Sequence, residues 1–325
     1  MTTGLPDGID TFLDASGWAG SVIEPLPGDA SFRRYFRLRR NGASAMLMDA
    51  PPPQEDTGPF LHVGQWLRAH HLRAPEIYAQ DSGRGLVLME DFGDARMRDH
   101  LDLVPGDEAG AYRAAIDSLV RLHALPPGPF EPYEMAVYQR EAALFCEWFC
   151  PAAGISADAA TYAAAWDAAL APMLPRQQPG VTVLRDYHAE NIMLLADGGQ
   201  GLIDFQDALV GHRAYDLVSL LQDARRDVPP ALERAMLDYY AAAAGGGEEF
   251  EADYARLGAQ RNAKIVGIFA RLWKRDGKPR YLAMIPRVWE ALERDLAHPA
   301  LAPVAAWFDA NVPADIRARR GGGLG

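Results

Sequence analysis

Cysteine is almost absent: the 325-residue chain has two, Cys146 and Cys150. Their spacing is not C-x-x-C, which disfavours a metal site or a thiol redox pair. Two small buried apolar side chains in a reducing compartment are expected instead. Long hydrophobic runs are also missing. No stretch approaches 18 apolar residues, so no transmembrane helix is predicted. Residues 1–20 carry Asp7, Asp10 and Asp14 and no basic start followed by an apolar run, unlike a signal peptide. These absences predict a cytoplasmic protein. An excess of positive charge is lacking too: 32 Lys+Arg stand against 44 Asp+Glu, a formal net charge of −12. That balance disfavours a protein that coats nucleic acid or an anionic membrane. No fixed-period repeat appears, which argues against a solenoid. What is present is ordinary globular composition, 49% hydrophobic and 23% charged. The length suits two domains or one large two-lobed domain.

The first ninety residues read as a small β-rich lobe. Phe32 to Arg39 alternates as a strand, Asn41-Gly42 is a turn dipeptide, and Ser44 to Met48 is a second apolar run, together a hairpin signal. Phe60 to His71 has helical apolar spacing, and Ile77 to Ala79 and Leu86 to Glu90 read as two further strands. From Met97 helices dominate. They are predicted over 107–124, 135–150, 158–174, 215–227, 230–244, 250–276 and 280–296, several of them Ala-rich. Residues 319–325 read as a frayed tail. The fold class is therefore α+β.

One segment breaks the helical half. Val181 to Leu184, Ile192 to Leu195 and Gly201 to Ile203 are short β runs, the last two joined by Asp197-Gly198-Gly199. A turn centred between Asp197 and Gly198 would set Asn191 and Asp204 opposite one another, about 5 Å apart on one face. An amide oxygen beside a carboxylate is a hard-oxygen pair of the kind Mg²⁺ takes, with phosphate and water completing its octahedron. Asp186, five residues before Asn191, enters the same end of the hairpin. A carboxylate there can orient a substrate hydroxyl and accept its proton during phosphoryl transfer.

The Asp186/Asn191 loop and the Asp204-Phe205 pair resemble the catalytic loop and metal-binding triplet of the kinase fold, in particular its aminoglycoside phosphotransferase and choline kinase branch. Gln206 stands where protein kinases have Gly, and Arg185 where the superfamily usually has His. Within the branch, five stretches are similar to the bacterial N-acetylmuramate/N-acetylglucosamine 1-kinase group. They are residues 28–35 (GDASFRRY), 48–52 (MDAPP), 184–191 (LRDYHAEN), 215–223 (YDLVSLLQD) and 275–278 (RDGK). The resemblance implies a two-lobed protein-kinase-like fold. Residues 1–92 would form the nucleotide-binding lobe, and residues 93–325 the helical lobe with catalytic loop and acceptor site. It also implies ATP and Mg²⁺ as cofactors, and a small sugar acceptor phosphorylated at its anomeric hydroxyl in peptidoglycan recycling. An aminoglycoside, choline-like or homoserine-like acceptor, or a non-catalytic nucleotide-binding regulator, are the alternatives.

On the nucleotide side, Gly28-Asp29-Ala30-Ser31 precedes the first strand, where small residues let backbone N–H groups approach phosphate. Ser31, Phe32, Arg33 and Arg34 are candidate nucleotide contacts. The resemblance makes 89–92, with Glu90 and Phe92, the segment whose main chain pairs with adenine. It also implies a lysine on the next strand, yet Ser44 to Asp49 contains neither Lys nor Arg. Arg33, Arg34 and Arg37 are the cations at hand, and alternation would send Arg33 and Arg37 to one face. On the acceptor side, residues 260–280 hold seven basic residues, Arg261, Lys264, Arg271, Lys274, Arg275, Lys278 and Arg280, with Asp276 the single acid. Such a wall suits a carboxylate-bearing acceptor. Arg271, Arg275 and Lys278 are the candidate contacts there, with His188 and Asp207 near the reacting groups. Asp216 is expected to organise the catalytic loop rather than touch substrate.

Overall fold

The computed structural model describes residues 4–27 and 32–324. The chain divides into two compact units. One comprises Met1–Asp99 with Asn191–Asp207, the other His100–Glu190 with Ala208–Gly325. The division thus falls seven residues after the 92/93 boundary read from the sequence, and the glycine-turn hairpin joins the first unit rather than the helical one. Backbone bonds explain this: Leu194 donates to Ala95 O (2.7 Å) and Leu202 to Arg73 O (2.8 Å).

The first unit is built on a five-stranded antiparallel sheet. In spatial order its strands are Val22–Pro25, Arg34–Arg40, Ala43–Asp49, Leu86–Glu90 and Ile77–Asp81. Asn41 and Gly42 both have positive φ (49° and 80°), and Arg40 faces Ala43. That is the two-residue primed turn an Asn-Gly dipeptide favours. Leu38, Ala45, Leu47 and Leu88 are fully buried on one face of the sheet. Against them pack Ile9, Phe12 and Leu13 of the helix Ile9–Ala15, an element the sequence pattern did not announce. The helix Gly58–Ala69 buries Phe60, Val63, Gly64 and Leu67.

The second unit is helical around the 27-residue helix Glu248–Lys274, which is buried along most of its length. Helices Glu108–His123, Ala159–Leu170, Pro230–Ala244 and Ile285–Leu296 lie within the predicted segments. Three predicted helices end early, 158–174 among them, at Leu170. The stretch 215–227 stops at Leu221. The stretch 135–150 stops at Ala142 and resumes as a π turn, Phe145–Phe149. The cause of this last break is close backbone approach: a Cβ on Gly267 would lie 2.3 Å from Leu144 C and 2.7 Å from Phe145 N. Only a glycine lets the long helix cross there, and the widened turn leaves room for it. Gly267→Ala is therefore expected to lower stability by about 1–3 kcal/mol through overpacking against backbone, read as a lower denaturant midpoint. An unchanged midpoint would mean that the helix slides freely. Residues 319–324 are not frayed. Leu324 is buried, and Gly321 abuts Trp289 so closely that a Cβ would meet its ring at 2.4 Å. Cys146 and Cys150 are unbridged, and Cys150 is buried.

Candidate active site

Residues 184–190, the loop that carries Asp186, follow the strand Val181–Val183 in the second unit. They have no ladder of their own, so their N–H groups need other acceptors. Asp216, fully buried on the helix Ala214–Leu221, takes two of them: Leu184 N–H at 2.7 Å and Arg185 N–H at 2.8 Å. That is the organising role expected of it. Burial pushes its carboxyl up, and the two N–H donors and Arg261 pull it back, to about 7. Arg185 takes a left-handed backbone (φ 71°), and its side chain pairs with Glu141 over the Tyr133 ring. Tyr187 O–H donates to Ala115 O at 2.8 Å, pinning the loop to the helix Glu108–His123.

Asp186 stands in the middle, its side chain 39% exposed. Desolvation alone would raise this carboxyl; Arg261, Lys264, His188 and Arg185 outweigh that and hold it at about 2. It is therefore a carboxylate at any physiological pH. Arg261 Nη2 lies 3.6 Å from Asp186 Oδ1, 2.7 Å from Ser219 Oγ, and over the Tyr215 ring. Lys264 pairs with Glu141 at 3.0 Å. Two cations that the sequence counted toward an acceptor wall thus lie against the carboxylates of Asp186 and Glu141. Their spacing, three apart on a helix, carried the signal of a shared face.

His188 is 3% exposed, and its Nε2 faces Arg225 Nη1 at 3.0 Å. It is packed, and does not have the exposure expected of a residue lining a sugar site. Asp207, in the first unit, is exposed. Arg271 is half-buried, and its Nε has no acceptor among the described residues. Burial and the neighbouring Arg275 lower its pKa. Arg275 pairs with adjacent Asp276 at 2.7 Å, and Lys278 is partly buried. Arg271 lies ten residues beyond Arg261, about 15 Å along the helix.

In the first unit, the hairpin strands Ile192–Leu194 and Gln200–Leu202 pair with Ile192 opposite Leu202. The expected register is one residue off: Asn191 faces Ile203, whose N–H donates to Asn191 O at 3.1 Å. A one-residue slip would ordinarily send Asp204 to the other face. It does not, because Asp204 has a left-handed backbone, φ 60°. The carboxylate comes round to the amide, and Asn191 Nδ2 donates to Asp204 Oδ2 at 3.3 Å. Gln206 Nε2 donates to Oδ1 at 2.9 Å, a role the glycine of protein kinases has no side chain to fill. Phe205, 1% exposed, stacks on Phe60 at 5.1 Å and so fixes the turn to the helix Gly58–Ala69. The donor set fits Mg²⁺ in kind: one amide oxygen and one exposed carboxylate, both hard. No group of three or more His, Cys, Asp or Glu suited to a metal occurs among the described residues, so phosphate and water would supply the remaining ligands.

The same unit carries the nucleotide candidates. Ser31 and the rest of 28–31 lie outside the described residues. Phe32 is 70% exposed. Arg33 Nε pairs with Glu55 Oε2 at 3.1 Å, both side chains being largely buried, and Phe32 N–H donates to the other Glu55 oxygen at 3.2 Å. Tyr35 sits within reach of Arg33, Glu55 and Asp204; desolvation dominates in pushing its hydroxyl up to about 12. Arg34 pairs with Asp49 across the first hairpin at 2.5 Å. Arg37 is lost as a phosphate ligand: buried, it binds Asp91 and Asp94, each at 2.8 Å, and Gly93 O. Its alternation with Arg33 put it on the right face, but three acceptors of the 91–94 loop take its guanidinium. Glu90 is held bidentately by Arg73 (2.5 and 2.6 Å), and Phe92 lies under Arg73 and against Gly201. Their side chains thus shape this segment, and the Glu90 N–H is itself bonded to Glu76 O at 2.8 Å.

Known proteins similar to this chain identify its family and its fold. The model of the phosphotransferase enzyme family matches residues 22–259. A protein of Caulobacter vibrioides named N-acetylmuramate/N-acetylglucosamine kinase is 40% identical, the match covering 94% of this chain and 96% of that one. Proteins of the same name from Pseudomonas putida (37% identical; 88% of each chain) and Neisseria meningitidis (35%; 86% and 87%) are also similar. Among solved structures, choline kinase LicA from Streptococcus pneumoniae superposes with a TM-score of 0.62 at 13% identity, over 90% of this chain and 96% of that one. ADP-bound aminoglycoside phosphotransferase APH(2'')-Ib gives 0.61 at 15%, over 88% and 97%. The fold is the kinase-like one these enzymes share.

Proposed function

The chain belongs to the phosphotransferase enzyme family, and from that premise we propose that it transfers the γ-phosphoryl group of ATP to the anomeric hydroxyl of N-acetylmuramate and N-acetylglucosamine, in peptidoglycan recycling. The observation that carries phosphoryl transfer is the Asp204 carboxylate brought onto the Asn191 amide by a left-handed residue. The two would hold Mg²⁺, which, when bound, neutralises charge on the phosphates. Asp186 is the carboxylate that orients the acceptor hydroxyl and receives its proton. Held at about 2, it is a weak base. That suits a loose transition state, in which positioning and charge neutralisation do most of the catalysis. Arg271, with Arg275 and Lys278 beyond it, is the cation offered to a lactyl carboxylate.

The missing strand lysine has a substitute. The first unit contains no lysine; the three in the chain are Lys264, Lys274 and Lys278. Arg33, braced by Glu55, supplies the positive charge for the nucleotide phosphates. Arg33→Met is expected to lower kcat/KM for ATP by about 10²-fold, while adenosine binding, read by calorimetry, holds. Equal loss of adenosine and ATP binding would remove Arg33 from phosphate recognition.

The test of the whole reading is ATP consumption with Mg²⁺ against N-acetylmuramate, N-acetylglucosamine, choline, homoserine and aminoglycosides. Phosphorylation of the two aminosugars, giving an acid-labile glycosyl phosphate, is the expected result. Turnover of only the other acceptors, or ATP binding without turnover, would overturn it.

A further inference from the structure

We propose that Asp223 and Arg225 form a clip that sets the backbone of residues 188–190, and so act as positioning residues for the catalytic loop. The proposal rests on Asp186 being the catalytic carboxylate. The loop has two ends to secure. Asp216 takes the entry by its bonds to Leu184 and Arg185. Within the loop, Asp186 N–H donates to Leu184 O and His188 N–H to Asp186 O (2.9 and 3.1 Å). The exit belongs to Asp223, which is 3% exposed and accepts Ala189 N–H on Oδ2 at 3.2 Å.

The other Asp223 oxygen accepts the N–H of Arg225 at 2.8 Å, a local turn of the kind short carboxylates form. It follows the end of the helix Ala214–Leu221. From there Arg225 reaches Glu190 Oε2 with Nε at 2.7 Å and His188 Nε2 with Nη1 at 3.0 Å. Each of the three residues preceding Asn191 is thus held by one of two residues: His188 by Arg225, Ala189 by Asp223, Glu190 by Arg225. The Arg225–Glu190 pair is largely buried, with side chains 27% and 19% exposed, so solvent competes with it only weakly. The planar guanidinium satisfies a carboxylate and an imidazole nitrogen at once, which a lysine cannot do with the same geometry. A loop released at its exit leaves Asp186 anchored on one side only, and small misplacement of a catalytic group is costly.

The test is a kinetic cycle on the full-length protein. Arg225→Ala is expected to lower kcat by roughly 10²-fold, with KM for ATP and acceptor changing little. Arg225→Lys recovers part of the loss. Glu190→Gln combined with Arg225→Ala is no worse than Arg225→Ala alone, because the two act through one contact. Unchanged kcat, or a loss confined to KM, or full additivity of the two substitutions, would each overturn the clip. Hydrogen exchange provides a readout independent of the acceptor: the Ala189 amide exchanges faster by about tenfold or more in Asp223→Ala if the clip holds it. Equal exchange in both proteins would refute the clip even if the sugar acceptors proved wrong. Loss of the aminosugar reading would show instead as an inactive parent enzyme on those sugars.

Discussion

Asp186→Asn should bind ATP as the parent does and turn over about 10³-fold more slowly, the share of rate that a positioned proton acceptor contributes. The amide keeps the side chain's shape and still offers Arg261 an oxygen. What goes is the charge that Arg261, Lys264, His188 and Arg185 hold ionised against desolvation. Arg261, Lys264 and Arg185 remain, two of them on the long helix, so the loop keeps the surroundings that shape it. The measurement is kcat by coupled assay beside ATP affinity by calorimetry. Turnover near the parent rate in a purified Asp186→Ala variant would end the role assigned to this carboxylate. A loss of ATP affinity as large as the loss of rate would point to a collapsed loop, and the Asp216 bonds to Leu184 and Arg185 would then be the place to look.

How far such a site can be read from sequence depends on which interactions are local. The strands around Asn41-Gly42 were legible because a two-residue turn and alternating side chains are written within a dozen residues. Leu86–Glu90 and Pro230–Ala244 were legible to the residue because turn signals or proline bound them. Asn191 and Asp204 were legible as a pair by their spacing, but the way they meet was not. The register of the hairpin is off by one, and a single φ at Asp204 restores the meeting of side chains. Residue type permits that conformation without announcing it. Contacts distant in sequence were invisible altogether. Asp223 meets Ala189 across 34 residues, Arg37 meets Asp94 across 57, and Gly267 touches the backbone at Leu144. A basic run likewise hides its own division of labour. Arg261 and Lys264 lie beside carboxylates while Arg271 Nε has no acceptor among the described residues, and only packing distinguishes them.

The second large effect belongs to Asp204, where charge and backbone conformation can be separated. Asparagine enters the left-handed region about as readily as aspartate, whereas alanine pays a steric penalty there. Asp204→Asn should therefore keep the turn, with Phe205 still stacked on Phe60, and keep the parent's thermal midpoint, since the side chain is exposed. Its turnover should fall by at least about 10²-fold, because it lacks the one formal negative charge that the Asn191–Asp204 pair offers a cation. Raising Mg²⁺ should recover part of the rate. Asp204→Ala should lose turnover too, but with a lowered midpoint, since strain at φ 60° costs about 1–3 kcal/mol. The two variants together say which property the residue supplies. If Asp204→Asn turned over normally with the parent's Mg²⁺ dependence, the carboxylate would hold the turn and nothing more. The metal would then have to bind elsewhere.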